Sequence, residues 1–199
     1  MVQKFAKYLA LKFVYYGECS EEDVDIYIYA LEAVIAPLLN VVYGLIISLL
    51  FGRFLEGTIF IIAFMFLRRF IGGYHVKTHF KCILTFCSIL TCFLIALSLF
   101  QNFNLIFIAI SIVAIIAWIG ILISTHIFEN EKHKIEQKKR HKIRSISVST
   151  MFVVVSYVFL LKDFINIAMA LVFALFIIFC GLLCAFFHQK QELSTFYKE

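Results

Sequence analysis

The sequence predicts an all-α membrane protein with six transmembrane helices, an N-terminal amphipathic interfacial helix and both termini in the cytoplasm. Hydrophobic residues make up 63% of the 199 residues and charged residues only 16%, and the mean hydropathy is +0.96. A soluble domain of this length has no interior large enough for so much apolar surface. The basic residues cluster in a few short segments, which is typical of loops on one side of a bilayer.

Six apolar stretches are the predicted spans. Four of them approach the ~20 residues needed to cross a ~30 Å hydrocarbon core. The second and fifth are shorter, and at about 1.5 Å per residue they cross only if flanking residues join them or the bilayer thins. The predicted spans are residues 30–51, 55–70, 83–100, 104–124, 146–161 and 164–187. We interpret residues 1–199 as a single integral membrane domain.

The placement of lysine and arginine predicts the orientation. With six spans, residues 1–29, 68–82, 125–145 and the C-terminal tail lie on one side, and they hold 16 of the 18 basic residues. Only Arg53 and Lys162 lie on the other side. The positive-inside rule then places both termini, the segment 68–82 and a basic loop at 125–145 in the cytoplasm.

Residues 1–29 form an N-terminal segment ahead of the first predicted span. In it, Phe5, Leu9 and Phe13 recur every four residues, and three lysines lie elsewhere on the helical wheel. This spacing predicts an amphipathic helix on the cytoplasmic membrane surface. A soluble cap packed on the helix bundle fits the same pattern.

The segment from Arg68 to Cys82 is a polar, basic island in an otherwise apolar chain. It contains one candidate nucleophile, Cys82, and two candidate bases, His75 and His79. Ionisable groups at a membrane boundary are costly to hold there, so they are functional candidates. We expect Cys82 in the first turn of the third span, where the helix dipole and nearby lysines favour the thiolate form. An inert thiol at a helix start is the competing interpretation.

The choice of base depends on the local backbone. His79 and Cys82 are three residues apart and share a face of a continuous helix. His75 and Cys82 are seven apart, or ~10 Å along a straight helix, and cannot touch in that geometry. Gly72 and Gly73 permit a turn that would bring His75 back towards Cys82. Helix geometry alone favours His79.

A zinc site is one alternative chemistry for the same residues. On one helix, His75, His79 and Cys82 would supply a His₂Cys ligand set. The glutamate of an H-E-x-x-H motif is absent, and Lys77 would lie inside the site. We therefore expect no metal and no other cofactor.

A polytopic transporter whose cytoplasmic loops are only structural is the other alternative. Such a protein should carry charged or polar residues along its spans, lining a path. The predicted spans contain few, chiefly Glu32 and Asn40, which argues against this class.

The loop at 125–145 carries seven basic residues and three glutamates. Such a loop sets topology and attracts the anionic head groups of the bilayer. It also suits docking of an acidic partner. Nucleic acid is not expected, because the loop is short and lacks interleaved aromatic residues.

The pattern Arg68-x₄-Gly73-x-His75-x₆-Cys82, at the start of the third of six spans, resembles the accessory gene regulator B (AgrB) family of bacteria. The similarity extends over the whole chain, including the N-terminal amphipathic segment and the basic loop. It implies a membrane endopeptidase that removes the C-terminal tail of a quorum-sensing pre-peptide through an acyl-thioester and cyclises the product to a thiolactone or lactone.

The resemblance also implies roles for individual residues. Cys82 would be the nucleophile and His75 the base, while Arg68 and Gly73 would bind substrate or support the site. His79 is outside the motif and remains the alternative base. The implied partners are an AgrD-like precursor peptide and a second copy in a homodimer, and the implied location is the bacterial cytoplasmic membrane, with the active site on the cytoplasmic side.

Overall fold

A computed structural model describes residues 2–16, 23–71, 79–100, 106–127 and 135–196. This part of the chain contains seven α-helices and no strand, so the all-α prediction is confirmed. The helices are α1 (Val2–Tyr15), α2 (Val24–Leu50), α3 (Phe54–Ile71), α4 (His79–Phe100), α5 (Ile106–Ile127), α6 (Ile135–Leu161) and α7 (Ile165–Phe196).

Five helices are long and apolar enough to cross a membrane: α2, α4, α5, α6 and α7. Helix α3 is not among them, because Glu56, Arg68 and Arg69 all fall within its 18 residues. Helix α6 begins at Ile135, inside the stretch expected to be a loop, and its apolar part is Lys142–Leu161 rather than 146–161. Lysine, arginine, glutamate and glutamine favour helix, so the helix continues through the basic residues.

Helix α3 lies in the middle of the bundle despite its charges. It packs against α2, α4, α6 and α7. Phe60 and Leu67 are fully buried, and Phe60 stacks on Phe93 of α4 with ring centroids 4.9 Å apart. Stacked and tilted aromatic pairs add to the stabilisation that comes from burial alone. The core of the bundle is therefore built around α3 and α7.

Small residues allow α2 to approach α3 closely. A Cβ added at Gly57 would coincide with Ser48 of α2, and one added at Gly44 would meet Ile61 of α3 at 2.8 Å. Ser48 is fully buried and donates its hydroxyl to the Gly44 carbonyl at 2.8 Å. Membrane helices commonly pack through such small residues, since lipid offers little drive for their association.

Helix α1 packs along α2 through Ala6 and Ala10, which are fully buried. The Phe13 ring lies 6.3 Å from that of Tyr27 on α2. Phe5 and several other apolar side chains of α1 remain exposed. The helix therefore covers part of α2 and also presents apolar side chains at the surface of the bundle, and its location on a membrane surface stays a prediction.

The close packing of α2 on α3 predicts a large cost for a side chain at Gly57. Gly57→Val should lower the Tm of the detergent-purified protein, because overpacking of this kind lowers the free energy of unfolding by about 1–3 kcal/mol. Leu55→Val is the control, because Leu55 is two residues away on the same helix and is exposed. Equal Tm values for the two variants would show that α2 and α3 do not approach closely here.

Candidate active site

Three successive contacts along α3 connect it with α4, and they show that the two helices are antiparallel. Moving towards the C-terminus of α3, each contact involves a residue closer to the N-terminus of α4. The contacts are Phe60 with Phe93 at 4.9 Å between ring centroids, Phe64 with Phe86 at 5.4 Å, and Arg68 with Cys82 at 3.9 Å. The last contact lies at the end of the bundle where α3 ends and α4 begins.

Arg68 is directly beside Cys82. Its Nη1 donates to the Cys82 Sγ at 3.9 Å, and its guanidinium carbon lies 5.9 Å from the centroid of the Phe64 ring. Phe64 is buried, so the aromatic face holds the cation against the bundle. A guanidinium in this position attracts negative charge on the sulfur, or on an oxygen of a group bonded to the sulfur.

Cys82 is partly buried in the first turn of α4, which begins at His79. The sequence predicts this position. The backbone N–H groups of a first helical turn have no partner within the helix, so they are donors for an anion near the sulfur. Cys82 thus combines a nucleophile with a nearby cation and backbone donors.

Two residues of the predicted motif, Gly73 and His75, lie outside the described residues. His79 is the first residue of α4, and nothing is described of its side chain. Of the predicted set, the structure therefore brings together Arg68 and Cys82, and the assignment of His75 or His79 as base stays a prediction. Among the described side chains there is no cluster of three metal-ligating residues.

Sequence reasoning did not relate Asn40 to Cys82, whereas the structure places the two at similar depths in the bundle. Gly44 of α2 faces both Ile61 of α3 and Phe86 of α4. Helices α2 and α4 are each antiparallel to α3 and so run in the same direction. Asn40 is one turn before Gly44, and Cys82 is one turn before Phe86, so the two lie at depths within about one turn, ~6 Å.

The side-chain oxygen of Asn40 has an unusual environment. Oδ1 is buried and has no hydrogen-bond partner among the described residues. A buried acceptor without a donor is destabilising, and native structures contain few of them. The only sequence signal was a single amide in an apolar span, shortly after Pro37.

A basic pocket of about 390 Å³ lies on another side of α3. It is lined by Phe66, Arg69 and Phe70 of α3 and by Arg144 of α6. Ser145 of α6 is buried and donates to the Phe70 carbonyl at 3.0 Å, which fixes α6 against the end of α3. Arg68 and Arg69 are adjacent in sequence, yet Arg68 contacts Cys82 and Arg69 lines this pocket.

The separation of the two arginines predicts how charged reagents react with Cys82. In a variant whose other five cysteines are alanine, the ratio of its reaction rates with sulfonate-bearing and trimethylammonium-bearing methanethiosulfonates reports the local potential. Arg68→Gln should lower this ratio by up to about 25-fold, since a unit charge at ~4 Å is worth ~1 kcal/mol in water and the two reagents differ by two unit charges. Arg69→Gln is the matched control and should change it less. Equal effects would contradict the Arg68–Cys82 contact.

Comparison with known protein families finds a match. A family model described as accessory gene regulator B matches residues 2–187, which is nearly the whole chain. Comparisons with curated proteins and with solved structures found no match.

Proposed function

Because the chain belongs to the accessory gene regulator B family, whose members process quorum-sensing peptide precursors, we propose that it is a membrane-embedded cysteine endopeptidase and cyclase. The observation that carries the proposal is the 3.9 Å contact between Arg68 Nη1 and Cys82 Sγ at the first turn of α4. The proposed substrate is an AgrD-like precursor peptide.

The first chemical step is acyl transfer to Cys82. His75 accepts the thiol proton, and the sulfur attacks a backbone carbonyl in the C-terminal part of the precursor. The tetrahedral intermediate collapses as its C–N bond breaks. The tail leaves as an amine that takes the proton from the imidazolium, and the remaining peptide is held as a thioester on Cys82.

The second step closes the ring. A cysteine or serine within the bound peptide attacks the thioester carbonyl, releases Cys82 as thiol and forms a thiolactone or lactone. Exchange of one thioester for another is close to thermoneutral, so the preceding conversion of an amide to a thioester is the uphill step. A site at the membrane boundary that excludes water limits the competing hydrolysis.

Arg68 is proposed to stabilise the oxyanion. The oxyanion forms on the carbon bonded to Cys82 Sγ, so a guanidinium N–H that already reaches the sulfur lies close to that oxygen. The first-turn N–H groups of α4 supply further donors. Gly73 is proposed to permit the turn that returns His75 to Cys82, and His79 is the alternative base.

We further propose that α3 is the remaining span, which gives six spans with both termini and the site on the cytoplasmic side of the bacterial membrane. Its 18 residues extend ~27 Å, close to the ~30 Å hydrocarbon core. Its charges lie near its two ends, with Glu56 at one and Arg68 and Arg69 at the other. Residues 125–145 would then face an acidic partner or anionic lipid, and the protein would act as a homodimer.

Substitution of the proposed catalytic residues tests this function. Cys82→Ala and His75→Ala should each abolish removal of the tail from a co-expressed precursor, because nucleophile and base are both required. His79→Ala should retain most of the cleavage. The products are followed by mass spectrometry of cell extracts.

Cys87→Ala is the matched control for the thiol, since Cys87 lies on the same helix and should retain cleavage. Cleavage by Cys82→Ala would end the cysteine-peptidase proposal. Loss of cleavage in His79→Ala, together with activity in His75→Ala, would transfer the role of base to His79.

A further inference from the structure

The buried side-chain oxygen of Asn40 suggests a role for α2 in holding the substrate. Resting on the function proposed above, we propose that the Asn40 carboxamide binds a peptide group of the precursor next to the bond that Cys82 attacks. The proposal begins from two observations: Oδ1 is buried without a described partner, and Asn40 lies within about one turn of the depth of Cys82.

The face of α2 that carries Asn40 is directed towards α3 and α4. Gly44, one turn later, contacts Ile61 and Phe86, and Ser48, a further turn along, lies against Gly57. Residues four apart on a helix share a face, so Asn40 continues this row towards the end of the bundle that holds Cys82. Asn40 is the member of this row nearest to that end, and its side-chain oxygen has no described hydrogen-bond partner.

The chemistry of a carboxamide matches that of a peptide bond. It offers one acceptor and two donors, so it can take a backbone N–H on Oδ1 and donate Nδ2–H to a backbone carbonyl. The backbone of the precursor presents both groups. Binding would satisfy the buried Oδ1 and fix the scissile carbonyl relative to Cys82 and Arg68.

Asn40→Leu separates this role from a structural one. It keeps a similar side-chain volume and removes the polar groups, so Tm should stay unchanged or rise while kcat/KM for tail removal falls about tenfold. Most of the fall should appear in KM, as expected for lost substrate binding. A lower Tm that accompanies the loss, or an unchanged KM and kcat, would overturn the inference.

Two further variants complete the test. Ser48→Ala removes a satisfied hydrogen bond on the same face of α2 and should lower Tm without changing KM. In a Cys82→Ala background, which cannot cleave, Asn40→Leu should reduce capture of the tagged precursor about tenfold. Cleavage by Cys82→Ala would instead refute the catalytic proposal, and this capture assay would still decide the role of Asn40.

The basic pocket between α3 and α6 independently carries a second inference. The structure assigns this pocket to the phosphate group of an anionic phospholipid. Arg69 and Arg144 come from different helices, and their exposed side chains line one open pocket of about 390 Å³ at the surface of the bundle. Among the described side chains neither forms a salt bridge with a carboxylate, so two like charges share this space without a described anion to separate them.

The position and lining of the pocket favour a lipid. Arg144 lies near the start of the apolar part of α6, and Arg69 lies in the last turn of α3, so both are at a membrane boundary. Phe66 and Phe70 add apolar walls beside the two cations. Basic pockets between membrane helices bind phospholipid head groups in this way.

Native mass spectrometry of the detergent-purified protein tests the lipid site. The protein should retain phosphatidylglycerol in preference to phosphatidylcholine, and the double variant Arg69→Gln, Arg144→Gln should retain about tenfold less at unchanged Tm. Arg140→Gln, one turn away from Arg144 on α6, is the matched control. Equal retention of both lipids, or no loss in the double variant, would overturn the assignment.

Two competitors identify the source of the anion. Inorganic phosphate at millimolar concentration should displace the lipid only weakly, because it gains nothing from the two phenylalanine walls. If phosphate binds the protein and phosphatidylglycerol does not, the lipid source is wrong. If an acidic peptide displaces the lipid and binds in its place, the pocket belongs to a peptide instead.

Discussion

The arrangement of the candidate site depends on the packing of α3 inside the bundle. Helix α3 carries three charges, yet the residues between Gly57 and Leu67 are uncharged and several of them are fully buried. Because the charges are near the two ends, the middle of the helix can pack against four others. That packing sets the relative depth of α2, α4 and α6. It brings Arg68 to Cys82, Asn40 to within about one turn of the depth of Cys82, and Arg69 and Arg144 to one pocket.

Composition and apolar runs were sufficient to predict a helical membrane protein, because helices satisfy their own backbone hydrogen bonds in lipid. Composition and apolar runs predicted the first and last residues of individual helices less well. The run at 146–161 looked too short because hydropathy registers the basic residues from Ile135 onwards as a loop, although their helix propensity is high. Hydropathy leaves α3 ambiguous as a membrane span, because its buried middle is apolar whereas its two ends carry charged residues.

The site was predictable only in part. The polar segment made Cys82 a candidate, and the resemblance to the AgrB family added Arg68, which the structure places in contact with Cys82. The role of α2 was not visible, because the relative depth of Asn40 and Cys82 follows from contacts at Gly44, Ile61 and Phe86. Such contacts depend on side-chain shape across helices rather than on local pattern. The same is true of Arg144, which is far from Arg69 in sequence and lines the same pocket.

A site of this kind has to reconcile two demands. A bilayer-embedded bundle is most stable when its interior is apolar, whereas the proposed acyl transfer needs donors and acceptors close to the nucleophile. Arg68 meets both demands by lying on the Phe64 ring at the end of α3, where a cation is also favoured by the helix dipole. In its proposed role, Asn40 supplies a polar group near the nucleophile and makes the interior of the bundle less apolar. Its buried oxygen without a donor lowers the stability of the free protein. A peptide group that binds there would supply the missing hydrogen bond and restore that stability.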